Sequence, residues 1–321
     1  MSAAGKTRRR LSLAGTPGVT VAVLACLMAA CATTPPSGSG SATNGSARNA
    51  KIAVVAAENF WGSIAAQLGG ERVTVRSIIR SPDADPHDYE PTAADARAVA
   101  VAQYVVENGA GYDPWVAKLV AANPAPARSV LNVGKLVGVK EGGNPHLWYS
   151  PHDVRQVIEQ ISADYKRIDP ADSTYFDQQK QNYETQGLAR YVQLIADIKS
   201  TYSGTPIGAS ESIVTPLAED LLLKVATPES FLDAISEGTD PTTADKITAD
   251  EQIKTKQVKI FIFNSQNSTP DVAALVTEAK NAGIPVATVT ETLVPATASF
   301  QDWQVGQLEG IKQALSKATT P

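Results

Sequence analysis

Two of the three histidines in this chain lie in similar sequence surroundings. His87 follows Pro86 in the run Asp-Pro-His-Asp-Tyr-Glu-Pro, and His146 follows Pro145 in the run Asn-Pro-His-Leu-Trp. Proline fixes its own φ angle and disfavours helical conformation in the residue before it, so each imidazole is expected on a stiff loop. Two imidazoles held in this way are half of a transition-metal site. The third histidine, His152, lies at a predicted helix start, where we expect a solvated side chain.

Cysteine does not supply the other half of such a site. Both cysteines of the chain, Cys26 and Cys31, lie in the leader that precedes the predicted folded part. The folded part therefore contains no thiolate ligand and no disulfide. A metal bound there must use histidine, aspartate, glutamate or backbone oxygen ligands.

Residues 1–31 are predicted to be a lipoprotein signal peptide, with Cys31 as the lipidated first residue of the mature protein. Four basic residues within positions 6–10 precede a mostly apolar stretch, from about residue 18 to residue 30, that is too short for a comfortable membrane span. Residues 32–50 are rich in serine, glycine and threonine and are predicted to be a flexible tether. The alternative is an ordinary secretory signal in which the cysteine has no role.

The charge of the chain argues against nucleic acid as a partner. The formal net charge is −5, and removal of the four positive side chains of the leader takes the mature part to −9. No basic run occurs outside the leader, so the electrostatic footprint of a nucleic-acid binder is missing. About 270 residues follow the tether, which is enough for one large domain or two ordinary lobes.

Apolar runs and helical patterns alternate along both halves of the mature chain, which predicts an α/β fold with mostly parallel sheets. We assign an N-terminal lobe to residues 51–168 and a C-terminal lobe to residues 203–321. Residues 169–202 form a predicted linking helix whose helix propensity is interrupted only at Gly187. In such folds, ligands bind outside the carboxyl ends of the strands.

The two histidine motifs resemble those of the zinc- and manganese-binding solute receptors of bacterial ABC transporters, the TroA-like metal-receptor family. The most specific matches are Asp-Pro-His at residues 85–87, followed by Tyr-Glu-Pro at 89–91, and Pro-His-Leu-Trp at 145–148. The resemblance covers about residues 51–317. It implies two α/β lobes joined by one long helix, with the metal in the cleft between the lobes.

The same resemblance implies the remaining metal ligands. Glu211 matches the third ligand, which follows a strand of the C-terminal lobe and precedes a helix, although a carboxylate there is also favoured by the helix dipole. Glu291 takes the place of the family's usual aspartate and is one methylene longer. The set is then His87, His146, Glu211 and Glu291, with Glu237 and Asp240 left open as rival carboxylates.

Two imidazoles and two carboxylates suit a single zinc or manganese ion, bound as cargo. The resulting expectation is a monomeric extracytoplasmic receptor, not an enzyme, that is held at the cell membrane by a lipid on Cys31 and delivers the ion to an ABC permease. The alternative is an exported metal-dependent hydrolase, although the chain has neither a His-Glu-x-x-His motif nor a Gly-x-Ser-x-Gly elbow. A receptor for an organic ligand, with Trp61 and Tyr89 in its pocket, is a third possibility.

Overall fold

The computed structural model describes residues 50–82, 84, 86–87 and 89–319. The predicted signal peptide, its lipidated Cys31 and the tether up to residue 49 lie outside the described residues. The described residues belong to one compact unit. Among the described residues, no helix is both long enough and apolar enough to cross a membrane.

Two four-stranded sheets, in which every pairing is parallel, organise this unit. The strands of the N-terminal sheet are β1 (Ile52–Glu58), β2 (Val73–Ile79), β3 (Tyr104–Glu107) and β4 (Ser129–Asn132). Those of the C-terminal sheet are β5 (Pro206–Ala209), β6 (Lys224–Val225), β7 (Ile260–Asn264) and β8 (Val286–Val289). The predicted α/β class with two parallel sheets is confirmed.

Both sheets have the same strand order along the sheet, β2-β1-β3-β4 in one and β6-β5-β7-β8 in the other. In each sheet the first connection leads to one side of the first strand and the next connection leads to the other side. The strand order therefore switches between β1 and β3 and between β5 and β7. At such a switch point the connections leave in opposite directions and open a crevice at the carboxyl ends of the strands. The molecule thus contains two equivalent crevices, one in each sheet.

Twelve helices surround and connect the sheets within the described residues. They are α1 (Asn59–Gly69), α2 (Ala93–Val101), α3 (Pro114–Ala122), α4 (Val133–Val137), α5 (Pro151–Ile168), α6 (Ser173–Asn182), α7 (Ala189–Tyr202), α8 (Thr215–Asp220), α9 (Glu229–Ser236), α10 (Thr243–Lys254), α11 (Pro270–Asn281) and α12 (Phe300–Thr319). Several of these helices are preceded by a residue whose side chain accepts a hydrogen bond from a backbone N–H group of the first turn. For example, Thr92 and Asp95 form a reciprocal capping pair at the start of α2.

The predicted linking segment is helical, but it is not one uninterrupted α-helix. A π-helical turn, Tyr183–Gly187, separates α6 from α7. The backbone N–H of Leu188 donates to the carbonyl of Tyr183 at 2.8 Å, which closes the wider turn. A Cβ on Gly187 would lie 2.8 Å from Cδ2 of the Tyr183 ring, so glycine lets this ring pack closely against the turn. The position at which the sequence shows weak helix propensity is therefore where the helix changes its geometry.

One large apolar core includes residues of both sheets, and a second, smaller cluster around Val55, Val105 and Trp115 is buried in the N-terminal part. The rings of Phe60 and Trp148 stack with centroids 4.1 Å apart. Next to them, the Tyr149 hydroxyl oxygen lies 2.8 Å from the carbonyl oxygen of Thr290 and 2.6 Å from Oε1 of Gln307. α12 packs against α7 and also contacts α1. The N-terminal and C-terminal parts are thus held together by packing as well as by the linking helices.

Candidate metal centre

Three of the four predicted ligands converge where the C-terminal sheet meets a loop from the N-terminal part. Ligand atoms of His146, Glu211 and Glu291 all lie within 4.8 Å of one another. Glu211 and Glu291 each follow the last residue of their strand by two positions, after β5 and β8. His146 directly precedes a short 3-10 turn, Leu147–Tyr149. The site therefore lies at the carboxyl end of the C-terminal sheet, where parallel sheets bind their ligands.

The imidazole of His146 is oriented by Asn144. Oδ1 of Asn144 lies 3.0 Å from the backbone N–H of His146 and 2.8 Å from Nδ1 of its ring. An amide oxygen only accepts hydrogen bonds, so Nδ1 carries the proton and donates it to Asn144. The tautomer that results leaves Nε2 with its lone pair available to a metal ion. Ligating histidines usually have such an outer partner.

Two side-chain amides hold the carboxylate of Glu211. Nδ2 of Asn264 donates to Oε1 at 2.6 Å, and Nδ2 of Asn267 donates to Oε2 at 2.6 Å. Nδ2 of Asn264 also lies 3.5 Å from Oε1 of Glu291, so this amide stands between the two carboxylates. These contacts fix the ligand oxygens while leaving each oxygen a further lone pair for a cation.

Burial sets the charge state of the site. Burial, with a smaller effect of the nearby His87, lowers the pKa of His146 to about 3, so the imidazole is neutral at neutral pH. Burial also raises the pKa of Glu211 to about 7, against the opposite effect of the two asparagine amides. A cation that binds near neutral pH meets an unprotonated imidazole and displaces a proton from part of the Glu211 population.

His87 is the predicted ligand that the structure does not bring into the cluster. Its side chain is exposed, and its ring centroid lies 4.9 Å from that of Tyr112. The Tyr112 ring in turn lies 6.3 Å from the ring of His146. The described residues of the loop that carries His87 form neither helix nor strand, and Trp115 Nε1 donates to the carbonyl of Pro86 at 3.1 Å. His87 is therefore beside the site but is not a member of the described cluster.

The other candidates from the sequence lie away from the cluster. His152 is exposed on the first turn of α5, as expected for a solvated residue. The rival carboxylates Glu237 and Asp240 are also exposed and are not part of the cluster. Trp61 is buried in the core rather than lining a pocket. Its indole N–H donates to Oδ1 of Asn108 at 3.0 Å.

A wide cleft of about 1290 Å³ opens beside the cluster. It is lined by His87 and Asn144 together with Ser212, which follows Glu211. Several carboxylates also line it, namely Asp153, Glu219, Asp220, Glu229, Asp233 and Glu237. These carboxylates outnumber the two lysines of the lining, Lys140 and Lys199, so the cleft presents a surface of favourable charge to a cation.

The equivalent crevice of the N-terminal sheet contains a buried carboxyl pair instead of a ligand cluster. Glu58, at the end of β1, and Asp113 are both buried. The backbone N–H groups of Asn108 and Gly109 each donate to Asp113 at 2.7 Å. No described N–H or hydroxyl group donates to Glu58. Burial, together with the negative charge of Asp113, raises the pKa of Glu58 well above the ordinary range, and burial raises that of Asp113 to about 7.

This pair is connected to the metal cluster through Asn108. Its Nδ2 donates to the carbonyl of Pro145, the residue before His146, at 2.9 Å. Neither Asn108 nor the two asparagines around Glu211 belong to a sequence motif that predicts a ligand. The one signal available for them was position, because Asn264 ends β7 and Asn108 directly follows β3, at the edge where ligands bind in parallel sheets.

Comparison with known proteins gives a consistent result. The family described as ZnuA, zinc-uptake complex component A, periplasmic, matches residues 54–314. The iron-binding protein YfeA of Yersinia pestis is 29% identical over 139 residues, which are 41% of this chain and 44% of YfeA. The metal ABC transporter substrate-binding lipoprotein ScbA of Streptococcus cristatus is 25% identical over 258 residues, 74% of this chain and 79% of ScbA. The matched segment thus spans less than half of YfeA but most of ScbA.

The fold is also that of a solved metal-binding protein. The cadmium-bound periplasmic metal-binding protein of candidatus Liberibacter asiaticus superposes with a TM-score of 0.69 at 20% identity. The superposition covers 82% of this chain and 98% of that protein. Because the family match extends over most of the described residues, this chain belongs to the ZnuA family of periplasmic zinc-uptake components.

Proposed function

We propose that this protein is an extracytoplasmic receptor that binds one divalent transition-metal ion, zinc or manganese, and delivers it to an ABC permease. The observation that carries the proposal is the convergence of His146, Glu211 and Glu291 within 4.8 Å at the end of the C-terminal sheet. Membership of a family of zinc-uptake components and the name of ScbA support the transport role. Neither supports an exported hydrolase.

The chemistry of the donor set supports a transition metal. Two carboxylates cancel the charge of a divalent ion, so the occupied site is close to neutral and its burial costs little. Calcium and magnesium prefer more oxygen ligands and no imidazole. Zinc accepts two imidazoles and two carboxylates as a tetrahedron, and manganese accepts the same set when a carboxylate is bidentate or water joins.

The fourth ligand in this proposal is His87. Its loop lies beside the cluster, and its ring packs on Tyr112, which also contacts the ring of His146. A movement of this loop toward Glu211 and Glu291 completes the shell and covers the ion. The bound ion is then held by residues from both parts of the chain, as the sequence motifs predict.

The proposed anchor is a lipid on Cys31, which keeps the receptor at the outer face of the cell membrane. ScbA is named a lipoprotein, which supports this part of the proposal. About twenty residues separate Cys31 from the first strand. The proposed tether connects the folded part to the membrane that holds the permease.

The test is a metal titration of the mature protein, purified without added metal and stripped with chelator. We expect one zinc or manganese ion per chain, and a loss of affinity of orders of magnitude in His146→Ala and in His87→Ala. His152→Ala is the matched control and should bind like the wild type. Binding that is lost in the His152 variant and retained in the other two would refute the ligand assignment.

A further inference from the structure

Two side-chain amides connect the N-terminal part of the chain to the backbone beside the predicted carboxylate ligands. The first is Asn144, which orients His146 and whose Nδ2 donates to the carbonyl of Ser212 at 2.8 Å. Ser212 directly follows Glu211, so this contact joins one histidine to one carboxylate. The second is Gln266, which connects the loop that carries His87 to the backbone at Glu291.

Gln266 holds the backbone at Glu291 with its amide oxygen. Oε1 accepts from the backbone N–H of Glu291 at 2.6 Å and from that of Thr292 at 2.9 Å. The chain after β8 contains no regular structure at this point, so the side chain of Gln266 takes the place of a neighbouring strand. The position of the Glu291 carboxylate therefore depends on this amide.

The amide nitrogen of Gln266 reaches the opposite part of the molecule. Nε2 donates to Oγ1 of Thr292 at 2.9 Å and to the carbonyl of Pro82 at 3.2 Å. Pro82 lies five residues before His87 in the same loop. One side chain thus contacts both the backbone that carries Glu291 and the loop that carries His87.

The same residue is also connected to the third ligand. Its backbone N–H donates to Oδ1 of Asn264 at 3.0 Å, and Nδ2 of Asn264 donates to Glu211 at 2.6 Å. Because all of these groups are amides, none of them adds charge to the cluster. Gln266 therefore affects the arrangement of the ligands without contributing to the electrostatic attraction of a cation.

We propose that Gln266 is a positioning residue that couples the His87 loop to Glu291, so that docking of this loop and retention of the cation depend on each other. The inference rests on the proposed function, because it concerns the same site. Loss of the coupling lets the loop leave without disturbing Glu291, so the ion escapes sooner. Where the acceptor on residue 266 is retained, association is affected less, since the Glu291 carboxylate stays in place to attract the ion.

Gln266→Glu keeps the contact to the backbone at Glu291 and removes the contact to the loop that carries His87. A carboxylate keeps the acceptors for the N–H groups of Glu291 and Thr292 but removes the donor to Pro82. The added negative charge alone would slow the release of a cation, whereas loss of the contact to the loop accelerates it. The two effects have opposite signs, so the direction of the change identifies the cause.

The experiment measures release of Zn²⁺ and of Mn²⁺ from the mature protein after mixing with excess chelator, together with hydrogen exchange across residues 80–91. Gln266→Glu and Gln266→Met should both release metal about 10–100-fold faster, as expected for an outer partner of a ligand. Both should also increase exchange in the loop. Gln257→Glu, an exposed glutamine in the C-terminal part, is the matched control and should leave both unchanged.

Slower release from Gln266→Glu would overturn the proposal, as would loop exchange that is the same in all four proteins. Failure of the proposed function gives a different result, in which the wild type itself binds neither metal. In that case the exchange of residues 80–91 in the metal-free variants still tests the contact between Gln266 and the loop.

Discussion

Replacing Glu58 by glutamine should make the metal-free protein more stable at neutral pH and weaken the dependence of its stability on pH. Glu58 is fully buried beside Asp113, and burial with the charge of Asp113 raises its pKa well above 4.5. The native chain therefore keeps a proton that the unfolded chain loses once the pH exceeds 4.5. For such a group, the free energy of unfolding does not change with pH below 4.5 and falls as the pH rises above it.

The expected magnitude follows from the number of protons retained. Each proton that the native state keeps and the unfolded state releases lowers the free energy of unfolding by about 1.4 kcal/mol per pH unit. Glutamine holds no such proton, so the stability advantage of Glu58→Gln over the wild type should grow as the pH rises above 4.5, by at most about 1.4 kcal/mol per pH unit. Its amide also supplies a donor to the Asp113 carboxyl, which is expected to preserve the contact at this position.

The assay is urea unfolding of the metal-free mature protein at pH 5, 6 and 7, with chelator present throughout. Glu251→Gln changes an exposed carboxylate on α10 and is the matched control, whose pH profile should follow that of the wild type. Parallel profiles for Glu58→Gln and the wild type would refute the reasoning. So would a Glu58→Gln protein that is less stable than the wild type at pH 7.

Two further predictions concern the ligands directly. Burial raises the pKa of Glu211 to about 7, so protons compete with the metal below that pH; affinity measured from pH 7 to pH 5 should fall about tenfold per unit in the wild type and less steeply in Glu211→Gln. Equal slopes would contradict this. Asn264→Ala removes one of the two amides on Glu211 and should weaken binding about 10–100-fold by calorimetry, whereas the exposed control Asn281→Ala should not. Unchanged affinity in Asn264→Ala would show that Asn267 alone holds the carboxylate.

The local sequence pattern predicts the strands and helices, and it predicts the edge of the sheet at which the candidate metal site lies. Short apolar runs such as Ile52–Glu58 and Ile260–Asn264 form parallel strands, because buried parallel strands are apolar on both faces. Glu211 and Glu291 were predicted by resemblance, and the structure places them together because β5 and β8 end at the same edge. That part of the site follows from strand order.

Local sequence patterns do not predict contacts between residues that are distant in the chain. Asn264 and Glu211 are 53 residues apart, and Gln266 and Pro82 are 184 residues apart. Nothing in the local sequence of a polar residue says which distant group it will face. The carboxyl pair of Glu58 and Asp113 is hidden for the same reason, because a glutamate at a strand end is ordinarily expected at the surface.

The position of His87 shows a second limit. The sequence predicts the type of ligand and the loop that carries it, but the loop has no strand or helix to fix its distance from the other ligands. A fourth ligand stabilises a cluster with two carboxylates most when the metal ion is bound to it. The ligand that depends on a loop is thus the one that sequence patterns place least well.

The most direct test of the account is a crystal structure of the zinc-loaded mature protein, with the ion located by anomalous scattering at the zinc edge. We expect one ion at about 2.0–2.2 Å from a nitrogen of His146 and from oxygens of Glu211 and Glu291, with His87 as the fourth ligand. An ion bound instead by the carboxylates that line the cleft, or by His152, would contradict the central claim.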